Sequence, residues 1–117
     1  MHCNIKPQNV LVMQPPGGGL RGVLTDFELG QADRPGGRGR PRVSHAPEVV
    51  ADWARRRTPA ADVYALGVLL VQTLGGDPKP TQGSGARVNL PGDAAGDGSL
   101  CRLAGSMLNA DPAARPS

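Results

Sequence analysis

His2-Cys3-Asn4-Ile5-Lys6-Pro7-Gln8-Asn9-Val10-Leu11-Val12 opens the chain and orders everything after it. It runs from polar residues into the apolar stretch Val10–Met13, which Pro15-Pro16-Gly17-Gly18-Gly19 ends, because proline lacks a ladder donor and glycine favours turns. Gly22–Thr25 is a second short apolar run. Two such runs around a Pro/Gly turn predict a β-hairpin, with Asn9 just before its first strand and Asp26 just after its second. Both polar residues then stand at one end of the hairpin.

Beyond it, residues 31–43 are mostly Gly, Pro and Arg, which predicts a mobile loop. Its glycines complete neither a GxGxxG nor a GxxxxGK[ST] pattern, so a phosphate-cradling loop is not expected there. Thr58-Pro59 is a helix start, a hydroxyl cap followed by proline where no amide donor is needed. The helix is predicted from Pro59 to about Leu74 and stopped by Gly75-Gly76. Val63, Leu66, Val68, Leu69, Leu70, Val71 and Leu74 cover most of its circumference, so it is expected to be surrounded by protein. Residues 77–98 read as a linker. Leu100, Leu103, Ala104, Met107 and Leu108 then form one face of a final helix, with Ser99 as its expected cap.

Composition bounds what this can become. The chain has 117 residues, enough for one small domain, and Gly 17 with Pro 12 leaves a modest core. Net charge is +3, yet seven arginines between Arg34 and Arg57 face only Glu48 and Asp52. That segment reads as a solvated basic loop, able to meet an acidic partner; nucleic acid is not expected. Cys3 and Cys101 form no CxxC pair, which argues against a disulfide framework and a zinc site. No apolar run reaches membrane-spanning length and no signal peptide is visible, so an intracellular location, cytoplasm or nucleus, is the expectation.

Five segments in order resemble the eukaryotic-type protein kinases of the serine/threonine branch: His2–Asn9, Asp26-Phe27-Glu28, Ala46-Pro47-Glu48, Asp62–Gly67 and Asp111–Arg115. The resemblance implies a mainly α fold with a short β-hairpin (α+β), an incomplete C-terminal lobe with a mobile activation segment. Residues 1–30 would hold the catalytic and magnesium loops, 31–48 the activation segment, 59–76 the buried helix, 77–98 a linker and 99–117 the last helix and tail. Asn4 stands where the family has its proton-accepting aspartate, and Lys6 where a lysine steadies the transferring phosphate. Asn9 and Asp26 match the magnesium ligands, so ATP and magnesium are the implied cofactors.

Glu48 and Arg115 match a structural ion pair, and Asp62 an aspartate that fastens the catalytic loop. Three departures accompany them: Glu28 replaces a glycine, Cys3 an arginine that binds an activating phosphate, and Ser44 is the one hydroxyl amino acid between Asp26 and Glu48. The Gly-rich loop, the strand lysine and its partner glutamate have no counterpart in the sequence.

Three functions follow as expectations. The chain is a kinase-like C-lobe that phosphorylates protein hydroxyls when a missing N-lobe is supplied; or a pseudokinase that binds a partner protein; or a relic whose product does not fold. The Asp62–Gly67 and Asp111–Arg115 segments also look like those of herpesvirus virion kinases, which implies a host-cell or virion setting.

Overall fold

A computed structural model describes residues 1–27, 43–78, 88–89 and 98–117. Strand β1 (Val10–Met13) pairs antiparallel with β2 (Arg21–Leu24), Val10 opposite Leu24 and Met13 opposite Arg21. Gly17, Gly18 and Gly19 all take positive φ, a backbone region closed to most L-residues, so the turn needs those glycines. A 3-10 turn at Pro7–Asn9 leads into β1. The Asn9 carbonyl accepts the Thr25 amide at 2.8 Å, extending the ladder to the polar end of the hairpin.

Helix α1 (Pro47–Ala51) and a 3-10 turn at Trp53–Arg56 lead to α2 (Pro59–Thr73). The Thr58 hydroxyl accepts the Ala61 amide at 3.2 Å, the capping bond its sequence position suggests. Leu74 closes α2, and Gly75 follows with φ +82°. Strand β3 (Asp77–Pro78) pairs with β4 (Val88–Asn89), and α3 (Ser99–Met107) packs across α2.

The core gathers Ala46 and Val49 from the α1 segment, Tyr64, Val68 and Val71 from α2, and Ala104 with Leu108 from the α3 segment. Val71 is fully buried. A buried side chain of this size contributes about 1.5–3 kcal/mol relative to exposure. Helices α2 and α3 approach closely at Gly67, where an added Cβ would stand 2.8 Å from Met107 Cβ and 3.2 Å from Leu108 Cγ. Gly67→Ala should therefore destabilise the fold by about 1–3 kcal/mol despite alanine's better helix propensity. A thermal melt followed by circular dichroism checks this: a rise in Tm would mean the helices separate at no cost.

Four expectations are corrected. Helix α2 is not enclosed all round: Leu66 is 42% exposed and Val63, Leu69, Leu70 and Leu74 are half-buried. Tyr64, Val68 and Val71 are the deepest of its larger side chains, and Gly67 marks the closest approach of α3. Ser99 is the first residue of α3, not its cap; Gly98, in the left-handed region, holds the cap position. Only the C-terminal part of that helix's apolar face is covered, Leu100 and Leu103 remaining exposed. The 77–98 segment is not wholly a linker, since β3 and β4 form a short ladder from it. Of the loop expected at 31–43, residues 31–42, with four of the seven arginines, lie outside the described residues, as does Glu28.

No helix among the described residues is long and apolar enough to cross a membrane, and no disulfide joins the cysteines.

Candidate active site

The segment 2–9 is held from three sides. From α2, the Asp62 carboxylate accepts the main-chain N–H of His2 at 2.6 Å and of Cys3 at 2.8 Å. From the end of the hairpin, the Thr25 carbonyl accepts the His2 ring Nε2–H at 2.9 Å. Within the loop, the other ring nitrogen, Nδ1, accepts the Asn4 amide at 3.3 Å, which sets the tautomer that donates from Nε2. Asn9 Nδ2 donates to the Asn4 carbonyl at 2.9 Å. His2 and Asn9 are each 5% exposed, so their polar atoms have exchanged water for these partners.

Cys3 has φ +63°, a conformation that costs a non-glycine residue free energy. Two amide donors converging on one carboxylate oppose that cost, since hydrogen bonds to a charged group contribute about 1.5–3 kcal/mol each. Asp62→Asn keeps the size but offers one acceptor oxygen and turns an amide group toward a donor. Its expected result is a loss of about 2 kcal/mol of stability. Amide exchange should report faster opening at His2 and Cys3 while Val68 and Val71 stay protected. Unchanged exchange at residues 2 and 3 would mean that Asp62 does not hold the loop.

Asn9 and Asp26 stand at the same end of the hairpin, joined through the Asn9–Thr25 main-chain bond. Asp26 is exposed and also takes φ +63°. Phe27 lies 67% exposed, its ring 4.6 Å from that of His2. Asn9 spends its amide N–H on the loop, and its Oδ1 has no partner among the described residues. With the Asp26 carboxylate this makes two hard oxygen donors, a set that suits magnesium completed by phosphate oxygens and water. The pair does not make a cage by itself: among the described residues no three His, Cys, Asp or Glu side chains gather for a metal.

Asn4 is half-buried, and so is Lys6, the residue that precedes the 3-10 turn. An amide at position 4 has no basic lone pair to receive a proton at neutral pH. The loop and the hairpin end thus present a lysine, an amide and two oxygen donors, with no basic group at position 4.

A second cluster lies behind this one. Arg115 is buried, and its guanidinium donates to both Glu48 oxygens at 2.6 and 2.8 Å. It also donates to the carbonyls of Ala60 at 2.8 Å, Asn109 at 2.8 Å and Ala110 at 3.4 Å. Its charge lies 5.0 Å from the Tyr64 ring centroid. Burial alone would raise the Glu48 carboxyl, but the Arg115 hydrogen bond and charge, a backbone hydrogen bond and the Arg55 charge together outweigh it, and the group ionises below its ordinary range. Tyr64 shifts upward, chiefly through burial, with Glu48 adding to the effect and Arg115 opposing it.

Sequence reasoning named six side chains of these two clusters, Asn4, Asn9, Asp26, Glu48, Asp62 and Arg115, together with Lys6. It assigned no part to the His2 ring, which ties loop to hairpin, nor to Tyr64 beneath Arg115. A lone tyrosine midway along an apolar helix was the available signal for the second, since such rings usually sit against a polar partner.

Comparison with known proteins finds a similarity to a bacterial enzyme. The serine/threonine-protein kinase PkaA of Streptomyces coelicolor is 37% identical over 92 residues, which take in 75% of this chain and 17% of that kinase. No family model matches, and no solved structure matches. The likeness to herpesvirus virion kinases finds no support in these comparisons. With a loop pinned by Asp62 and a bacterial kinase as its relative, the chain carries a protein-kinase-like region.

Proposed function

We propose that this region is the C-terminal part of a serine/threonine protein-kinase-like domain, built to hold a catalytic loop but deprived of its proton acceptor. The observation that carries the reading is the Asp62 carboxylate gripping the His2 and Cys3 amides, which keeps the loop in place around an asparagine. Similarity to PkaA supports the family; that kinase's activity belongs to the whole of it, and the chain spans 17% of its length.

Asn9 and Asp26 would hold magnesium against the phosphates of ATP, and Lys6 would face the transferring phosphate. Bound magnesium supplies charge neutralisation there. The chain's own residues position: Asp62 and the His2 ring keep loop and hairpin end in one frame, while Asn4 can orient a hydroxyl but not deprotonate it. In this reading phosphoryl transfer to a protein hydroxyl is slow.

The test is nucleotide binding in a context that supplies the rest of the fold. This chain is exchanged for the matching segment of PkaA, and magnesium-dependent ATP binding is measured by calorimetry. The chimera should bind ATP with magnesium and lose at least about tenfold in affinity on Asp26→Asn. A folded chimera indifferent to Asp26→Asn would overturn the assignment of Asp26.

A further inference from the structure

We propose that the cavity beside Lys6 binds a small amphipathic monocarboxylate. The cavity measures about 600 Å³ and opens between the 5–9 loop, residues 43–44 and α2. That volume falls within the roughly 300–1,000 Å³ typical of small-molecule sites. One wall is a straight face of α2, with Ala65, Leu69 and Gln72 at helical spacing; Ile5 closes the opposite side. Among the described residues Lys6 is the sole charged one on the lining, no acid lines it, and no carboxylate pairs with Lys6. Ser44 and Gln72 add neutral hydrogen-bonding groups.

Each feature narrows the ligand. A cation is repelled by Lys6, and a wholly apolar guest leaves an ammonium group without a counter-charge. A compact dianion such as phosphate ignores the apolar wall formed by Ile5, Ala65 and Leu69. A single carboxylate on an aliphatic or aromatic body satisfies both. Because the ligand would occupy the lysine assigned above to the transferring phosphate, it would compete with phosphoryl transfer. The binding itself does not depend on that assignment.

The experiment titrates the isotope-labelled chain with decanoate, below the concentration at which it forms micelles, and follows amide shifts. Decanol and inorganic phosphate serve as comparators. Saturable shifts at Ile5, Lys6, Ser44, Ala65, Leu69 and Gln72 are expected, with decanol and phosphate each at least about tenfold weaker. Lys6→Met should weaken decanoate about tenfold and leave decanol unchanged. Leu69→Gln, on a half-buried position, should weaken both, with circular dichroism reporting that each variant is folded. The proposal is overturned if the shifts fall on the exposed hairpin residues Leu11, Val12 and Met13, if phosphate binds as tightly as decanoate, or if Lys6→Met has no effect. Concentration-dependent shifts at the cavity without decanoate would overturn it too, in favour of a second copy of the chain.

Discussion

Replacing Arg115 by methionine should cost about 3–5 kcal/mol, which would consume most of the stability of a small domain at the low end of the range of about 5–15 kcal/mol. The guanidinium is fully buried at 0% side-chain exposure and Glu48 nearly so at 8%. Removing the cation leaves a largely buried carboxylate without its hydrogen-bonded partner, with only the more distant Arg55 charge acting on it. It also leaves the carbonyls of Ala60, Asn109 and Ala110 without their donor. Urea unfolding followed by circular dichroism measures the loss.

Most of that loss reflects an uncompensated charge, so Arg115→Met combined with Glu48→Leu should recover a large share of it. A double variant as unstable as Arg115→Met alone would show that the carbonyl bonds, not the ion pair, dominate. Acid should weaken the same link. The Glu48 carboxyl ionises below its ordinary range when folded, so the unfolded chain takes up the proton more readily. The stability this contributes is complete above the ordinary carboxyl value of 4.5 and disappears as pH falls through the depressed folded value. The double variant, which lacks the titrating carboxyl, should flatten that dependence.

The second large effect concerns chemistry. A general base contributes roughly 10²–10⁴-fold to a rate, and Asn4 cannot serve as one. Asn4→Asp exchanges a nitrogen for an oxygen in a loop whose main chain is held by Asp62, His2 and Asn9. The Asn4 main chain is already fixed, its amide on His2 Nδ1 and its carbonyl on Asn9 Nδ2. Neither bond uses the side chain, so the substitution should leave the frame unmoved and supply the missing acceptor.

Much of this arrangement was legible in the residues because local rules and packing agree there. The hairpin follows from a Pro/Gly turn between two apolar runs, and α2 from Thr58-Pro59 before it and Gly75-Gly76 after it. Where the reading failed, a tertiary choice decided among locally equal options. Ser99 and Gly98 are both acceptable caps, and Gly98, with φ +69°, holds the position through a backbone conformation that glycine adopts readily. The leucines of α2 suggested burial all round, but α3 covers one side only, and Gly67 marks where the helices come closest. The β3–β4 ladder pairs two-residue strands that carry no periodic signal at all.

The site shows the same division. The resemblance of their motifs to protein kinases named Asn9, Asp26, Glu48, Asp62 and Arg115, and the hairpin pattern by itself put Asn9 and Asp26 at one end. The role of the His2 ring is a matter of which carbonyl lies within reach, and only the packing of the hairpin against the loop supplies that.

The most direct measurement compares phosphoryl transfer from labelled ATP by two PkaA chimeras, one carrying this chain unchanged and one carrying it with Asn4→Asp. The Asn4→Asp chimera is expected to be faster by at least about 10²-fold, with ATP affinity unchanged. Equal rates from two folded, ATP-binding chimeras would contradict the claim that this loop is a complete catalytic frame lacking only its base.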